Sequence, residues 1–222
     1  MQNKKPSLKN FDTIIFDMDG VVIDSGPLWK EVNVDFFGQF GVKFIDYGKI
    51  LTKLNGKSPA DAMKVFQNEY NIPGDSEELA RERSTKLVEI VKARLKYIKG
   101  FEDFVQRLIV QEKKIAIATG ADYYLLDNIK AILNLEDYFG EHIYSVEDVN
   151  FISKPDPATF LLAAEKLKSK PGECIVIEDG ILGIQAANTA GMYSIGFRNG
   201  EKTKFEEADL TVEDYQDLKK LL

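Results

Sequence analysis

Short apolar runs rich in β-branched residues recur along this chain, separated by longer stretches with helical periodicity. The clearest runs are residues 13–16, 115–118, 175–177 and 193–197, with a weaker one at 143–145. Helical patterns occupy 101–111, 123–133, 157–168, 181–190 and 212–222. Strands that are continuously apolar are buried on both faces, which calls for a parallel sheet with helices on either side. The expected fold is therefore α/β, a doubly wound Rossmann-like parallel sheet.

The alternation fails once. Residues 25–97 offer no strand and three helix candidates. The first carries Pro27 at a favourable first-turn position, with Trp29, Val32, Phe36, Phe37 and Phe40 repeating behind it. The second opens on Ser58, with Pro59 next and Asp61 three residues on, a capping-box pattern. The third starts near Ser76 and runs through Leu79, Leu87, Val91 and Leu95. An all-helical cap domain at 26–96 is expected, inserted into a core domain made of 1–25 and 97–222. A length of 222 residues suits one domain with an insertion, at about 150 residues per domain.

The 36 acids outnumber the 29 bases, a net charge of −7 that repels polyphosphate and anionic lipid surfaces. The most basic stretch, Lys4, Lys5 and Lys9, reads as a solvated tail, so neither nucleic acid nor membrane is an expected partner. Residues 180–197 carry no charge, but their four glycines and their Gln185, Asn188 and Thr189 mark a helix, loop and strand, not a membrane span. Asp12, Asp17, Asp19 and Asp24 interrupt the first apolar stretch and exclude a signal peptide, so a cytoplasmic location is expected. The single cysteine, Cys174, lies in an apolar run and reads as a small buried hydrophobe.

In an open parallel sheet, ligands bind beyond the carboxyl ends of the strands, and the chemistry of this chain collects there. The first run ends in Asp17-Met18-Asp19-Gly20, the second in Thr119-Gly120-Ala121, and the fourth in Glu178-Asp179-Gly180, while Lys154-Pro155-Asp156-Pro157 precedes a helix. If these ends converge, four carboxyls share one crevice with Thr119 and Lys154. Like charges so close need a cation, and a small set of hard oxygen ligands suits Mg²⁺. A carboxylate beside such an ion can attack phosphorus, a second carboxyl can shuttle a proton, and a hydroxyl and an ammonium can hold the transferring oxygens.

Other motifs fail. Asn55-Gly56-Lys57-Ser58 resembles the end of a P-loop, yet Leu51 stands where that motif needs glycine. An EF-hand would need glycine at Val22. No G-x-S-x-G occurs, and His142, the only histidine, reads as a structural residue at a strand entrance.

Taken together, these motifs resemble the haloacid dehalogenase superfamily, in its branch of helical-cap phosphatases and β-phosphoglucomutase-like enzymes. Asp17-Met18-Asp19-Gly20-Val21-Val22-Ile23-Asp24-Ser25 is similar to the first motif, Thr119 to the second, Lys154 to the third and Glu178-Asp179 to the acidic fourth. The resemblance implies that Asp17 is the phosphate-accepting nucleophile and Asp19 the general acid/base. It also implies that Mg²⁺ is held by the Asp17 carboxylate, the Asp19 main-chain carbonyl and Asp179, with Glu178 bonded directly or through water. Gly120, Ala121, Lys57 and Ser58 are the expected substrate contacts, the last two in a cap loop that closes over the crevice. The substrate expected is a small phosphorylated metabolite, such as a sugar phosphate. Sugar-phosphate mutases of this branch carry a histidine near Trp29 and an arginine near Pro59. This chain has neither, so hydrolysis is expected over the alternative of a phosphosugar mutase. A receiver-type signalling domain would share the Asp, Thr and Lys, but its acceptor follows the third strand and it lacks a helical insertion.

Overall fold

The computed structural model describes residues 7–43, 50, 53–54 and 57–222. Lys4, Lys5, Leu51, Asn55 and Gly56, all used above, lie outside the described residues. The core is a six-stranded parallel sheet: β1 (Thr13–Phe16), β2 (Lys114–Ala118), β3 (Ile143–Tyr144), β4 (Cys174–Glu178), β5 (Tyr193–Phe197) and β6 (Leu210–Val212), in the order β3-β2-β1-β4-β5-β6.

Alternation inside each strand decides which helices cover which face. Ile14, Phe16, Ile115, Ile117, Ile175, Ile177, Ile195 and Phe197 point to one side. There they meet α4 (Phe101–Val110), α5 (Tyr123–Leu133) and α9 (Tyr215–Lys219). Ile15, Ala116, Ala118, Cys174 and Val176 point to the other, against α7 (Ala158–Lys166) and α8 (Ile181–Thr189). On this second face the sheet and helix residues are mostly small (Ala163, Ala164, Ala186, Ala187), which lets the helices approach closely. Cys174 is a buried member of that cluster. No helix among the described residues is long and apolar enough to cross a membrane; the uncharged stretch at 180–197 is α8 followed by β5.

Between β1 and β2 the described chain is helical, with α1 (Gly26–Gly38), α2 (Pro59–Tyr70) and α3 (Ser76–Arg94). Each start is specified locally. Pro27 stands in the first turn of α1. The Ser58 side chain accepts the Asp61 N–H to cap α2, and Asp75 accepts the N–H groups of Glu77 and Glu78 to cap α3. Phe36, Phe37, Met63, Phe66 and Ala80 give these helices an apolar cluster of their own. Two adjacent crossings tie them to the sheet. Ile23 pairs with Tyr97 in an antiparallel bridge, and the Asp24 N–H donates to the Lys96 carbonyl at 3.0 Å.

The structure corrects the sequence reading at the C-terminal end. Residues 210–212 form the edge strand β6 and the last helix spans only Tyr215–Lys219, where one helix over 212–222 is expected. Three residues are too few for periodicity to separate strand from helix. The short α6 (Glu136–Phe139) also goes unread in the sequence.

Candidate active site

The chain runs from β1 outward through β2 and β3, then returns to β4 on the opposite flank of β1. Strand direction of travel reverses between β1 and β4, and a doubly wound sheet opens its ligand crevice at that point. Phe16 is in register with Ile177, so Asp17 and Glu178 emerge side by side. On the other flank Phe16 is level with Ile117, which brings Thr119 to the same edge.

Lys154 organises the crevice. Its Nζ donates to Asp17 Oδ1 at 2.5 Å and to Glu178 Oε1 at 2.7 Å, and lies 4.6 Å from the Phe160 ring centroid. It is only 2 % exposed. Burial works against its charge, but Asp17 and Glu178 outweigh that and raise its pKa, so it is a fixed cation. The second oxygen of Glu178 accepts the Gly180 N–H at 2.6 Å. Gly183 is required here, because a Cβ at that position would collide with the Glu178 carboxyl. Gly20 has φ +75° and lies against Asp179, so any side chain there would be strained and would also displace that carboxyl.

One carboxyl oxygen each of Asp17, Glu178 and Asp179 lies within 4.8 Å of the others. Burial raises the Asp17 carboxyl to about 8 against the pull of Lys154, and burial with the Glu178 and Asp17 charges raises Asp179 well above the carboxylate range. Three carboxyl groups gather around one buried lysine, more hard oxygen donors than its charge alone can balance. That donor set fits a divalent cation such as Mg²⁺.

The Asp19 side chain is directed elsewhere. Its Oδ1 accepts the Ser25 hydroxyl and, at 3.2 Å, the Trp29 indole N–H. Burial raises its pKa against those two hydrogen bonds. With Oδ1 accepting twice, a proton on Asp19 sits on Oδ2. Thr119 Oγ1 accepts the Ala121 N–H at 3.1 Å, which leaves the hydroxyl proton free to donate. The Ala121 carbonyl takes the Ser145 hydroxyl at 2.7 Å, so both backbone groups of Ala121 are engaged and it contributes wall.

Above the crevice lies a cavity of about 230 Å³ bounded by Asp17, Asp19, Thr119, Gly120, Ala121 and Asp179 below and by residues of the insertion including Lys57 above. Ser58 does not line it. Its hydroxyl is spent on capping α2, where it meets the N–H and the carboxylate of Asp61. Asp122 caps α5 by accepting the Leu125 N–H at 2.9 Å, and His142 Nδ1 lies 2.9 Å from the Tyr144 hydroxyl at the entrance to β3.

Two cavity residues are not evident in the sequence reading. Asn33 of α1 and Arg83 of α3 are both buried and line the cavity. The Arg83 guanidinium lies 4.8 Å from the Trp29 ring centroid and 5.5 Å from that of Phe66. The helical insertion thus brings a buried cation to the cavity. A signal for Arg83 was present. The inward face of α3 runs Ala80, Arg83, Ser84, Leu87, Val88, Val91, so a charged residue interrupts an apolar repeat.

Residues 11–191 match the family described as haloacid dehalogenase-like hydrolase. The chain belongs to that family and is a hydrolase. It is 29% identical over 189 residues to the fructose-1-phosphate phosphatase YqaB of Escherichia coli, covering 83% of this chain and 95% of that one. Hexitol phosphatase B of Escherichia coli is 29% identical over 184 residues, 82% of this chain and 81% of that one. A haloacid dehalogenase-like protein of Agrobacterium tumefaciens has the same fold, with a TM-score of 0.77 and 27% identity over 95% of this chain and 97% of that structure.

Proposed function

We propose that this hydrolase is a Mg²⁺-dependent phosphatase of small phosphorylated sugars or polyols, acting through an aspartyl phosphate on Asp17. The observation that carries the reading is the buried Asp17–Lys154–Glu178 arrangement beside Asp179 at the sheet's switch point. The sugar- and polyol-phosphate activities named for the two Escherichia coli relatives support the substrate class. Residues 26–96 act as the cap over the core.

Asp17 supplies a carboxylate oxygen to phosphorus as the ester P–O bond breaks. Asp19 gives the proton on its Oδ2 to the leaving oxygen, held in place by Ser25 and Trp29. Water then attacks the phosphoryl group on Asp17, Asp19 takes its proton, and inorganic phosphate leaves with Asp17 restored. The Thr119 hydroxyl and the Lys154 ammonium hold the transferring oxygens, one by a hydrogen bond and the other as a point charge. Asp17, Asp179 and the Asp19 main-chain carbonyl would hold Mg²⁺, with Glu178 adjoining, and the ion would withdraw charge from the phosphoryl oxygens. Phosphate release across a panel of sugar and polyol phosphates should require Mg²⁺ and stop with EDTA. Equal release in EDTA would overturn the metal assignment, and no release from any of the panel would overturn the substrate class.

The remote end of the substrate meets the cap, where Arg83 and Lys57 offer cations to hydroxyl and phosphate oxygens. Arg83→Ala should lower kcat/KM for the preferred sugar phosphate by about 10-fold or more, the scale of a hydrogen bond to a charged group. A smaller loss is expected for Lys57→Ala, which is less buried. Neither change should much affect p-nitrophenyl phosphate, which has no polar remote groups. Equal losses on both substrates would remove these residues from recognition. Because Trp29 and Pro59 replace the histidine and arginine of the mutases, glucose 1-phosphate with a trace of bisphosphate should yield phosphate and no isomer.

A further inference from the structure

Ser153, the residue before Lys154, donates its hydroxyl proton to Asp61 Oδ2. The two side chains come from different parts of the molecule, the helical insertion and the core. Asp61 stands in the first turn of α2, and Ser153 in the core turn that presents Lys154. The acceptor is a fixed charge: Asp61 Oδ2 also takes the Ser58 hydroxyl at 3.0 Å, and Oδ1 takes Lys64 Nζ at 3.2 Å. These bonds outweigh the partial burial of the carboxyl and hold it below the usual range. On the core side, the Ser153 carbonyl accepts the Asp156 N–H at 3.2 Å, closing the turn around Lys154. Lys154 in turn reaches Asp17 and Glu178.

The backbone passes between the helical insertion and the core at two paired crossings, the geometry of a hinge, while Leu87, Val88 and Val91 of the insertion pack in one apolar cluster with Leu125 and Ile129 of the core. A bond between Asp61 and Ser153 exists only while the insertion lies over the strand ends. We propose that this bond is a latch, in which Asp61 is a positioning residue that holds the cap closed and couples closure to the setting of Lys154. Asp61 does not line the cavity and touches no reacting atom, so its effect runs through Ser153. The activity side of this inference rests on the phosphatase reading; the closure side does not.

Trp29 is the only tryptophan and lies at the boundary, donating to Asp19 of the core and lying under Arg83 of the insertion. Its quenching by acrylamide therefore reads the open fraction directly. Ser153→Ala removes the donor and leaves the α2 cap intact. Quenching should rise and kcat/KM for the preferred sugar phosphate should fall, each by about two- to tenfold, the worth of one net hydrogen bond, with the unfolding midpoint unchanged. Ser153→Thr keeps a hydroxyl and should restore both. Asp61→Ala removes the acceptor and should behave like Ser153→Ala, and the double variant should be no worse than the Asp61→Ala single variant. Wild-type quenching in Ser153→Ala, or losses that multiply in the double variant, would overturn the latch. Raised quenching with wild-type kcat/KM would overturn its coupling to Lys154. A wild-type chain inert toward every phosphorylated sugar would sink the functional reading, while the quenching measurement still decides the latch.

Discussion

Asp17→Asn should reduce phosphate release by at least about 10⁴-fold, the scale of loss when a nucleophile acting in concert with its partners is removed. The amide is a poor nucleophile, yet it has nearly the carboxylate's shape, and its carbonyl can still accept from Lys154, so the fold should persist. The sign of the stability change sharpens the test. The native Asp17 pKa of about 8 lies above that of an unfolded aspartate, so the metal-free native state loses stability as pH rises from the unfolded value toward the native one. Asparagine removes that penalty. At neutral pH without Mg²⁺ the variant should therefore melt no lower than the wild type while turning over almost nothing. Substantial residual activity at intact Mg²⁺, with contaminating phosphatase excluded, would remove Asp17 from the nucleophile's role. A melting point well below the wild type would show that its carboxylate stabilises the native fold.

Why the acidic crevice was legible follows from where its residues stand. Asp17, Thr119 and Glu178 each directly follow or end an apolar run, and strand alternation with the parallel order brings those ends to one edge. Lys154 was readable only through its motif, since its loop has no periodicity. Nothing local says that a lysine between Ser153 and Pro155 reaches two carboxylates more than 20 positions away in sequence. Arg83 shows the opposite case. Its helix carries Arg81, Lys86, Lys92 and Arg94 as well, and only the inward register, flanked by Ala80 and Leu87, distinguishes it from those solvated charges. Ser58 misled because one hydroxyl fits two roles, cap and ligand, and the capping role uses it up. The Asp61–Ser153 contact joins positions 92 residues apart and depends on how the insertion lies on the core, which no local pattern encodes.

Lys154→Ala should both inactivate the protein and destabilise it, and the two effects should separate on adding Mg²⁺. In the native state this ammonium is the nearest cation to Asp17 and Glu178, both almost fully buried. Removing one partner of such an arrangement typically costs about 3–5 kcal/mol, because the remaining charge is left buried without compensation. For a chain of this size that is a fall of about 6–20 °C in the unfolding midpoint in metal-free buffer. Part of the cost is relieved if Asp17 protonates, so the fall should be smaller at pH 5 than at pH 8. A divalent cation among the same oxygens replaces the lost charge, and saturating Mg²⁺ should recover much of the midpoint through its preference for the native state. Activity should not recover with it, since the ammonium that neutralised the transferring oxygens is gone. Thermal unfolding of wild type and variant, with Mg²⁺ and with EDTA at both pH values, reads all of this. An unchanged midpoint in EDTA would mean that Lys154 does not offset the buried carboxylates. A Mg²⁺ shift no larger in the variant than in the wild type would mean that the ion binds away from them.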